Sequence, residues 1–115
     1  TVLSKVSPGM PSFEEEIFGP VFSIIEANDN SHAIGLANNS KYGLGAAVFT
    51  SDIKNGEKIA KTKIQAGVCF VNDYVKSDPR LPFGGVKMSG YGRELSGYGL
   101  MEFVNIKTIV VENNK

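Results

Sequence analysis

The sequence has very few of the residues that build disulfide frameworks and metal sites. It contains one cysteine, Cys69, one histidine, His32, and no tryptophan. A single cysteine excludes a disulfide framework within the chain and favours a reducing compartment, so we expect the cytoplasm. With one cysteine and one histidine, the chain has neither a Cys-His metal site nor a Cys-His catalytic pair.

A net charge and long apolar runs are also missing. The 115 residues carry 12 basic and 12 acidic side chains, so no field favours nucleic acid or an anionic membrane. No apolar run approaches the roughly 20 residues that span a bilayer, and no signal peptide opens the chain. A hydrophobic content of 42% predicts one domain with a buried core. The opening Thr1-Val2-Leu3, without a methionine, resembles the middle of a strand and favours a piece of something longer.

Apolar runs and amphipathic stretches alternate through the central part of the chain. They predict three buried strands and two intervening helices: strand Val21–Ala27, helix Ser31–Asn39, strand Ala46–Thr50, a helix capped by Ser51 or Asp52 and ended by Gly67, and strand Val68–Val71. Near-continuous apolar strands are typical of sheets covered on both faces. The alternation therefore indicates an α/β fold with a mainly parallel sheet.

Three further elements are predicted toward the ends. Thr1–Val6 favours a short strand, and Glu94–Val104 favours a helix that Gly97 and Gly99 weaken. Lys107–Val111 is typical of a strand, which we expect to pair across a subunit interface because it has no evident partner here.

The stretch Asn72–Glu94 has neither helical nor strand periodicity. It leaves the third predicted strand at its carboxyl end, where parallel sheets bind ligands. Large apolar residues lie among its prolines and glycines, which favours an ordered functional loop over a disordered linker.

The acidic cluster Glu14–Glu16 has two open interpretations. Adjacent like charges are typical of a solvated loop. However, the turn Ile17–Pro20 follows directly, and a carboxylate fixed there could accept two hydrogen bonds from a sugar diol while Phe18 packs on an aromatic ring.

Other conspicuous residues favour structural roles. Cys69 lies in an apolar strand without a neighbour that would lower its pKa, and His32 sits in the first turn of a helix, where protonation is unfavourable. The glycines of Gly84-Gly85 and Ser89–Arg93 fit neither a Walker loop nor the dinucleotide fingerprint, so turns are the better explanation.

Two motifs resemble those of the aldehyde dehydrogenase superfamily. The run EEIFGPV at Glu15–Val21 is similar to its E-x-F-G-P motif, and PFGGVKMSGYGRE at Pro82–Glu94 to its P-F-G-G-x-K-x-S-G-x-G-R-E stretch. A Y-G-x-x-x-[FY] segment and a terminal K-T-x-x-V strand follow in the family's order. The resemblance covers essentially the whole chain.

The resemblance implies a fold and an assembly. It places residues 1–104 in the C-terminal part of a catalytic domain of three-layer αβα architecture with a mainly parallel sheet, including a substrate loop at residues 72–94. Residues 105–115 become an oligomerisation strand and tail, so a homo-oligomer, a dimer or tetramer, is expected.

The resemblance also assigns roles to individual residues. Glu16 matches the glutamate that holds the nicotinamide-ribose hydroxyls of NAD or NADP, and Phe18 the aromatic near the nicotinamide. The segment 72–83 matches the wall of the aldehyde tunnel, with Phe83 just before the two glycines. At the position of Ser77 many members carry a bulky aromatic. A serine at this position is similar to the succinate-semialdehyde dehydrogenase branch, where the serine hydroxyl helps bind the distal carboxylate.

The family's nucleophilic cysteine, general-base glutamate and oxyanion-hole asparagine match nothing in this chain and would lie upstream of Thr1. The resemblance thus implies a full-length succinate-semialdehyde dehydrogenase and an isolated chain that is inactive. Two alternatives stay open: a non-catalytic structural or oligomerising fragment, and a dehydrogenase for another aldehyde.

Overall fold

The structure, a computed structural model, describes residues 1–112. Short strands and helices alternate along this part of the chain. In order they are β1 (Val2–Leu3), α1 (Pro11–Glu14), β2 (Phe22–Ser23), α2 (Asn30–Asn38), β3 (Tyr42–Gly43), β4 (Gly45–Val48), α3 (Ile53–Thr62), β5 (Val68–Val71), β6 (Val86–Lys87) and α4 (Ser96–Met101). The α/β class predicted from the sequence is confirmed.

The strands form three separate two-stranded sheets within the described residues. β1 and β2 are parallel, β4 and β5 are parallel, and β3 pairs with β6 in antiparallel fashion. The sequence-based expectation of one sheet holding Val21–Ala27 beside the two later strands is therefore wrong for this part of the chain. The pairing is mainly parallel, as expected.

The most regular unit is β4–α3–β5. Its two strands run in register from the pair Gly45 and Val68 to the pair Val48 and Val71. The side chain of Asp52 caps α3 by accepting a 3.0 Å hydrogen bond from the Asn55 N, which satisfies one of the free amides of the first turn. α2 begins in the same way, because the side chain of Asp29 accepts a hydrogen bond from the His32 N.

Two predicted strands are shorter and more exposed than expected. Only Phe22–Ser23 of the predicted Val21–Ala27 is a strand, and Phe22 is 69% exposed. β4 ends at Val48, so Phe49 lies beyond it and is 71% exposed. A strand is buried on both faces only when other elements cover both, and residues 1–112 leave Phe22 and Phe49 without such cover.

Residues 1–112 do not build a core of their own, which corrects the expectation from composition. Among the hydrophobic side chains of the described residues, Val6 alone is buried, at 6% exposure. The radius of gyration is 19.3 Å, against about 13 Å for a compact domain of this length. The molecule is correspondingly elongated, with extents of 75 × 33 × 24 Å.

The predicted loop Asn72–Glu94 contains regular secondary structure in its second half. Val86–Lys87 forms β6 against β3, and Phe83 and Glu94 form an isolated antiparallel bridge. The first half, from Asn72 to Pro82, has no regular structure, as predicted.

The C-terminal elements differ from prediction. α4 begins only at Ser96, because Leu95 before it has φ of 62°, outside the right-handed helical region. Lys107–Val111 has no strand partner within residues 1–112, and positions 113–115 of the predicted tail lie outside the described residues. None of the described helices is long and apolar enough to cross a membrane.

Two helical glycines provide a matched test of how closely α3 packs on its strands. A Cβ on Gly56 of α3 would lie 2.6 Å from the Thr50 Cγ2, whereas a Cβ on Gly35 of α2 would meet no atom of residues 1–112 within 4 Å. Alanine improves helix propensity by about 1 kcal/mol at either position. Overpacking costs roughly 1–3 kcal/mol.

We therefore expect Gly35→Ala to raise the midpoint of thermal unfolding and Gly56→Ala to lower it, measured by calorimetry on the full-length protein. A rise with Gly56→Ala would contradict the close approach of α3 to Thr50.

Candidate functional site

The parallel strands β4 and β5 end at the same edge of their sheet, and hydrogen bonds of Asn72 connect the two ends. The Asn72 N donates a 2.9 Å hydrogen bond to the Val48 O, which continues the ladder by one residue. The Asn72 Oδ1 accepts from the Thr50 N and the Nδ2 donates to the Thr50 O, both at 2.8 Å. The chain then turns away with φ of 56° at Asn72.

The segment that leaves this edge is held by two local ion pairs. The Lys76 Nζ lies 2.6 Å from the Asp73 Oδ2, and it also lies 4.9 Å from the centre of the Tyr74 ring. The Arg80 Nε and Nη2 donate to the two carboxylate oxygens of Asp78, at 2.9 and 2.6 Å. Such exposed pairs contribute little to stability, so their main effect is on the shape and charge of the segment.

These pairs also affect titration. The hydrogen bond from Lys76 lowers the pKa of Asp73, and the hydrogen bonds from Arg80 lower the pKa of Asp78. Both carboxylates are therefore ionised at neutral pH and neutralise the two cations of the segment. Ser77 lies between the two pairs and is exposed.

A cavity of about 300 Å³ lies between β5 and this segment. Apolar side chains dominate its wall, and the charged pair of Lys76 and Asp78 adds polar groups. The lining residues are Val68, Cys69, Phe70, Lys76, Asp78, Leu81, Pro82 and Phe83. Phe83 is held there by backbone bonds in both directions with Glu94, at 2.9 and 2.7 Å. A mostly apolar cleft with few polar groups is typical of a small-molecule site.

A second cavity, of about 590 Å³, contains the acidic cluster. Its walls come from the end of α1, the connection between α2 and β4, and the turn after β6. The lining residues are Phe13, Glu14, Glu15, Glu16, Ala37, Ser40, Tyr42, Gly43, Leu44, Gly45, Met88 and Ser89. The Glu14 Oε1 accepts a 2.9 Å hydrogen bond from the Gly9 N, so Glu14 has a structural partner. The carboxylate of Glu16 is exposed and can accept hydrogen bonds from hydroxyl groups.

Two side chains from the second half of the predicted loop Asn72–Glu94 hold the wall of this second cavity. The Lys87 Nζ donates to the Asn38 O and the Ser40 O, both at 2.9 Å, at the C-terminal end of α2. An ammonium group there satisfies free carbonyls and complements the helix dipole. The Ser89 Oγ accepts a 2.9 Å hydrogen bond from the Gly43 N. The loop and the α2–β3 turn are therefore joined at two points.

The four residues predicted for the site are not gathered in one place. Glu16 lines the larger cavity and Phe83 the smaller one. Phe18 is 91% exposed, and Ser77 is exposed beside the smaller cavity without being among its lining residues. Interpretation of the sequence missed Asn72 as a structural clamp, although an asparagine after a buried strand is a recognisable turn signal.

Cys69 lies in β5, half-buried, opposite Ala46 of β4. Burial raises the pKa of its thiol, which keeps the sulfur protonated and a poor nucleophile. Residues 1–112 hold no cluster of three side chains that could bind a metal ion.

Comparison with known proteins gives a consistent picture. The sequence profile of the aldehyde dehydrogenase family matches residues 1–109. The chain is 50% identical over 109 residues to the succinate semialdehyde dehydrogenase [NAD(P)+] of Escherichia coli K12, covering 95% of this chain and 23% of that enzyme. It is 46% identical over 112 residues to the mitochondrial aldehyde dehydrogenase of Rattus norvegicus, covering 97% and 21% of the two chains.

Among solved structures, succinic semialdehyde dehydrogenase from Streptococcus pyogenes, in complex with NADP+, superposes with a TM-score of 0.91. Its identity is 42%, and the match covers 97% of this chain and 24% of that one. The chain thus spans about a quarter of the length of the relatives it matches.

The raised pKa of Cys69 predicts slow alkylation. At pH 7 we expect iodoacetamide to label the full-length protein at Cys69 much more slowly than an unfolded control, measured by mass spectrometry of the Cys69 peptide. The rate should rise only as the pH passes the ordinary range of a free thiol, because burial favours the neutral form. Equal rates for folded and unfolded protein at pH 7 would contradict the shift.

Proposed function

Because the chain belongs to the aldehyde dehydrogenase family, we propose that it is part of an enzyme that oxidises succinate semialdehyde to succinate with NAD or NADP. The observation that carries this proposal is the 50% identity to an enzyme named for that substrate, over 95% of the chain. We place it in the cytoplasm, because the one cysteine of this chain can form no disulfide within it.

The larger cavity is the proposed place of the nicotinamide ribose. Glu16 is exposed there, and a carboxylate can accept hydrogen bonds from two adjacent hydroxyls at once. Lys87 and Ser89 hold another part of the wall through their bonds to residues 38–43, and the exposed Phe18 can pack against a ring. The cofactor, when bound, accepts hydride from the substrate.

The smaller cavity and the segment beside it are the proposed wall of the aldehyde tunnel. Phe83 supplies apolar surface, and Ser77 supplies a hydroxyl that can donate to a carboxylate. Arg80 is already engaged by both oxygens of Asp78. The Ser77 hydroxyl is therefore the group of this segment that we assign to the distal carboxylate.

The bond-making chemistry is proposed to lie outside this chain. The family resemblance puts the nucleophilic cysteine, the general base and the oxyanion-hole asparagine upstream, and Cys69 is protonated and half-buried. We infer that the 115 residues alone are inactive and contribute to a three-layer αβα catalytic domain, with residues 105–115 forming an oligomerisation strand in a dimer or tetramer. Turnover by the chain alone would contradict this assignment.

A second candidate substrate class has some support. The rat mitochondrial relative, whose name specifies no aldehyde, is 46% identical over 97% of this chain. Identity alone therefore separates the two substrate classes weakly, and Ser77 becomes the discriminating position.

Replacing Ser77 tests the proposed substrate. We expect Ser77→Ala, in the full-length protein, to lower kcat/KM for succinate semialdehyde about 10-fold or more, because a hydrogen bond to a charged group is worth roughly 1.5–3 kcal/mol. The value for butyraldehyde, a neutral aldehyde of the same length, should change less than about 2-fold.

Ser31→Ala, at an exposed serine of α2, is the matched control and should leave both values unchanged. An unchanged preference for the carboxylated aldehyde in Ser77→Ala would remove Ser77 from this role. A wild-type enzyme that does not oxidise succinate semialdehyde would refute the proposed substrate itself.

Replacing Glu16 tests the proposed cofactor contact. An amide keeps the shape of the side chain but loses the charge that strengthens hydrogen bonds from ribose hydroxyls. We expect Glu16→Gln to raise the KM for the nicotinamide cofactor or lower kcat about 10-fold, with an unchanged midpoint of thermal unfolding. Glu26→Gln removes the same charge at another exposed site and is the control. Equal effects of the two variants would indicate a general charge effect and not a contact by Glu16.

A further inference from the structure

We propose that Asn72 is a positioning residue that fixes the direction in which the substrate segment, residues 73–83, leaves the sheet. The inference rests on the proposed function for the role of that segment. It concerns the side-chain amide of Asn72, a residue that is not among those lining either candidate cavity. Asn72 would act on the aldehyde only through the segment that follows it.

The first argument is the pattern of bonds at the strand ends. The amide of Asn72 binds both the N and the O of one residue, Thr50, at 2.8 Å each. Thr50 follows β4, just as Asn72 follows β5. The parallel pair ends at Val48 and Val71, so the amide extends the connection between the two strands beyond their ladder.

The second argument is the backbone of Asn72 itself. Its φ of 56° lies in the left-handed region, which asparagine tolerates better than most residues with a side chain. The side-chain bonds hold the residue in this conformation, and the conformation aims the next residue away from the sheet. Displacement of Asn72 would therefore shift Asp73 and the residues that follow it, up to the point where the backbone bonds between Phe83 and Glu94 hold the chain.

The third argument is the chemistry that the position demands. A side chain there must accept from one backbone group and donate to another over a short reach. Aspartate has the same shape but, when ionised, cannot donate to the Thr50 O, and glycine keeps the φ without either bond. The amide of asparagine supplies both an acceptor and a donor at this reach.

A second asparagine in the chain serves as the comparison. The Asn38 Nδ2 donates to the Lys63 O at 2.7 Å, and its Oδ1 accepts from the Gln65 N at 2.8 Å. The chemistry and bond lengths match those at Asn72. However, this clamp holds the connection between α3 and β5, before β5 begins, whereas the clamp at Asn72 holds the strand end from which the substrate segment leaves. The Asn38 clamp separates a general loss of stability from a specific loss of positioning.

The experiment compares Asn72→Asp with Asn38→Asp in the full-length protein. Each variant loses one donated hydrogen bond and gains a repulsion, so we expect similar decreases in the midpoint of thermal unfolding. We expect only Asn72→Asp to raise the KM for the aldehyde, roughly 3- to 10-fold, with the KM for the nicotinamide cofactor within about 2-fold of the wild type. Asn72→Gly tests whether φ alone suffices, and should show a defect in the same parameter.

Hydrogen–deuterium exchange on the same variants gives a readout that does not depend on the substrate. Asn72→Asp should speed exchange in residues 73–83, whereas Asn38→Asp should speed it near residues 63–67. Equal effects of the two variants on aldehyde KM and on exchange in 73–83 would overturn the proposal.

A wild-type enzyme that prefers another aldehyde would refute the proposed function only, because the comparison can then use that aldehyde. If the wild type oxidises no aldehyde, the exchange pattern alone supports or overturns the role of Asn72.

Discussion

The pairing of β4 with β5 is the constraint on which the rest of the described structure depends. Leu44 and Gly45 at the start of this pair line the larger cavity, and Val68–Phe70 line the smaller one. The strand pair thus stands between the proposed cofactor contacts and the proposed aldehyde contacts. α3 packs on it closely enough to require Gly56, and Asn72 joins its far end. Small shifts in this pair would move both cavities.

Much of the apolar surface of residues 1–112 is exposed, and these residues do not enclose a core of their own. Side chains such as Phe49, Tyr98 and Phe103 are each at least 69% exposed. Large apolar side chains that are this exposed are typical of surfaces that contact other protein. That agrees with a chain that spans about a quarter of the length of its relatives.

The sequence predicted the elements whose signals are local. α2 and α3 begin after aspartate caps, and β5 coincides with the apolar run Val68–Val71. The predicted burial of β2 was wrong, because burial depends on neighbouring elements that no local pattern specifies. The regular structure within the loop was also not predicted. Lys87 and Ser89 bind partners 46 to 49 residues away in sequence, which is farther than a local periodicity extends. For the site, roles for Ser77 and Glu16 come from the motif resemblance and stay predictions, while composition and spacing alone predicted only a loop at a sheet edge.

The most direct test of the central claim is a crystal structure of the full-length protein with a nicotinamide cofactor and succinate bound. We predict that one succinate carboxylate lies within hydrogen-bond distance of the Ser77 Oγ, and that the Glu16 carboxylate lies within the same distance of the nicotinamide-ribose hydroxyls. A succinate carboxylate held away from residues 72–83, with Glu16 facing solvent, would contradict the account.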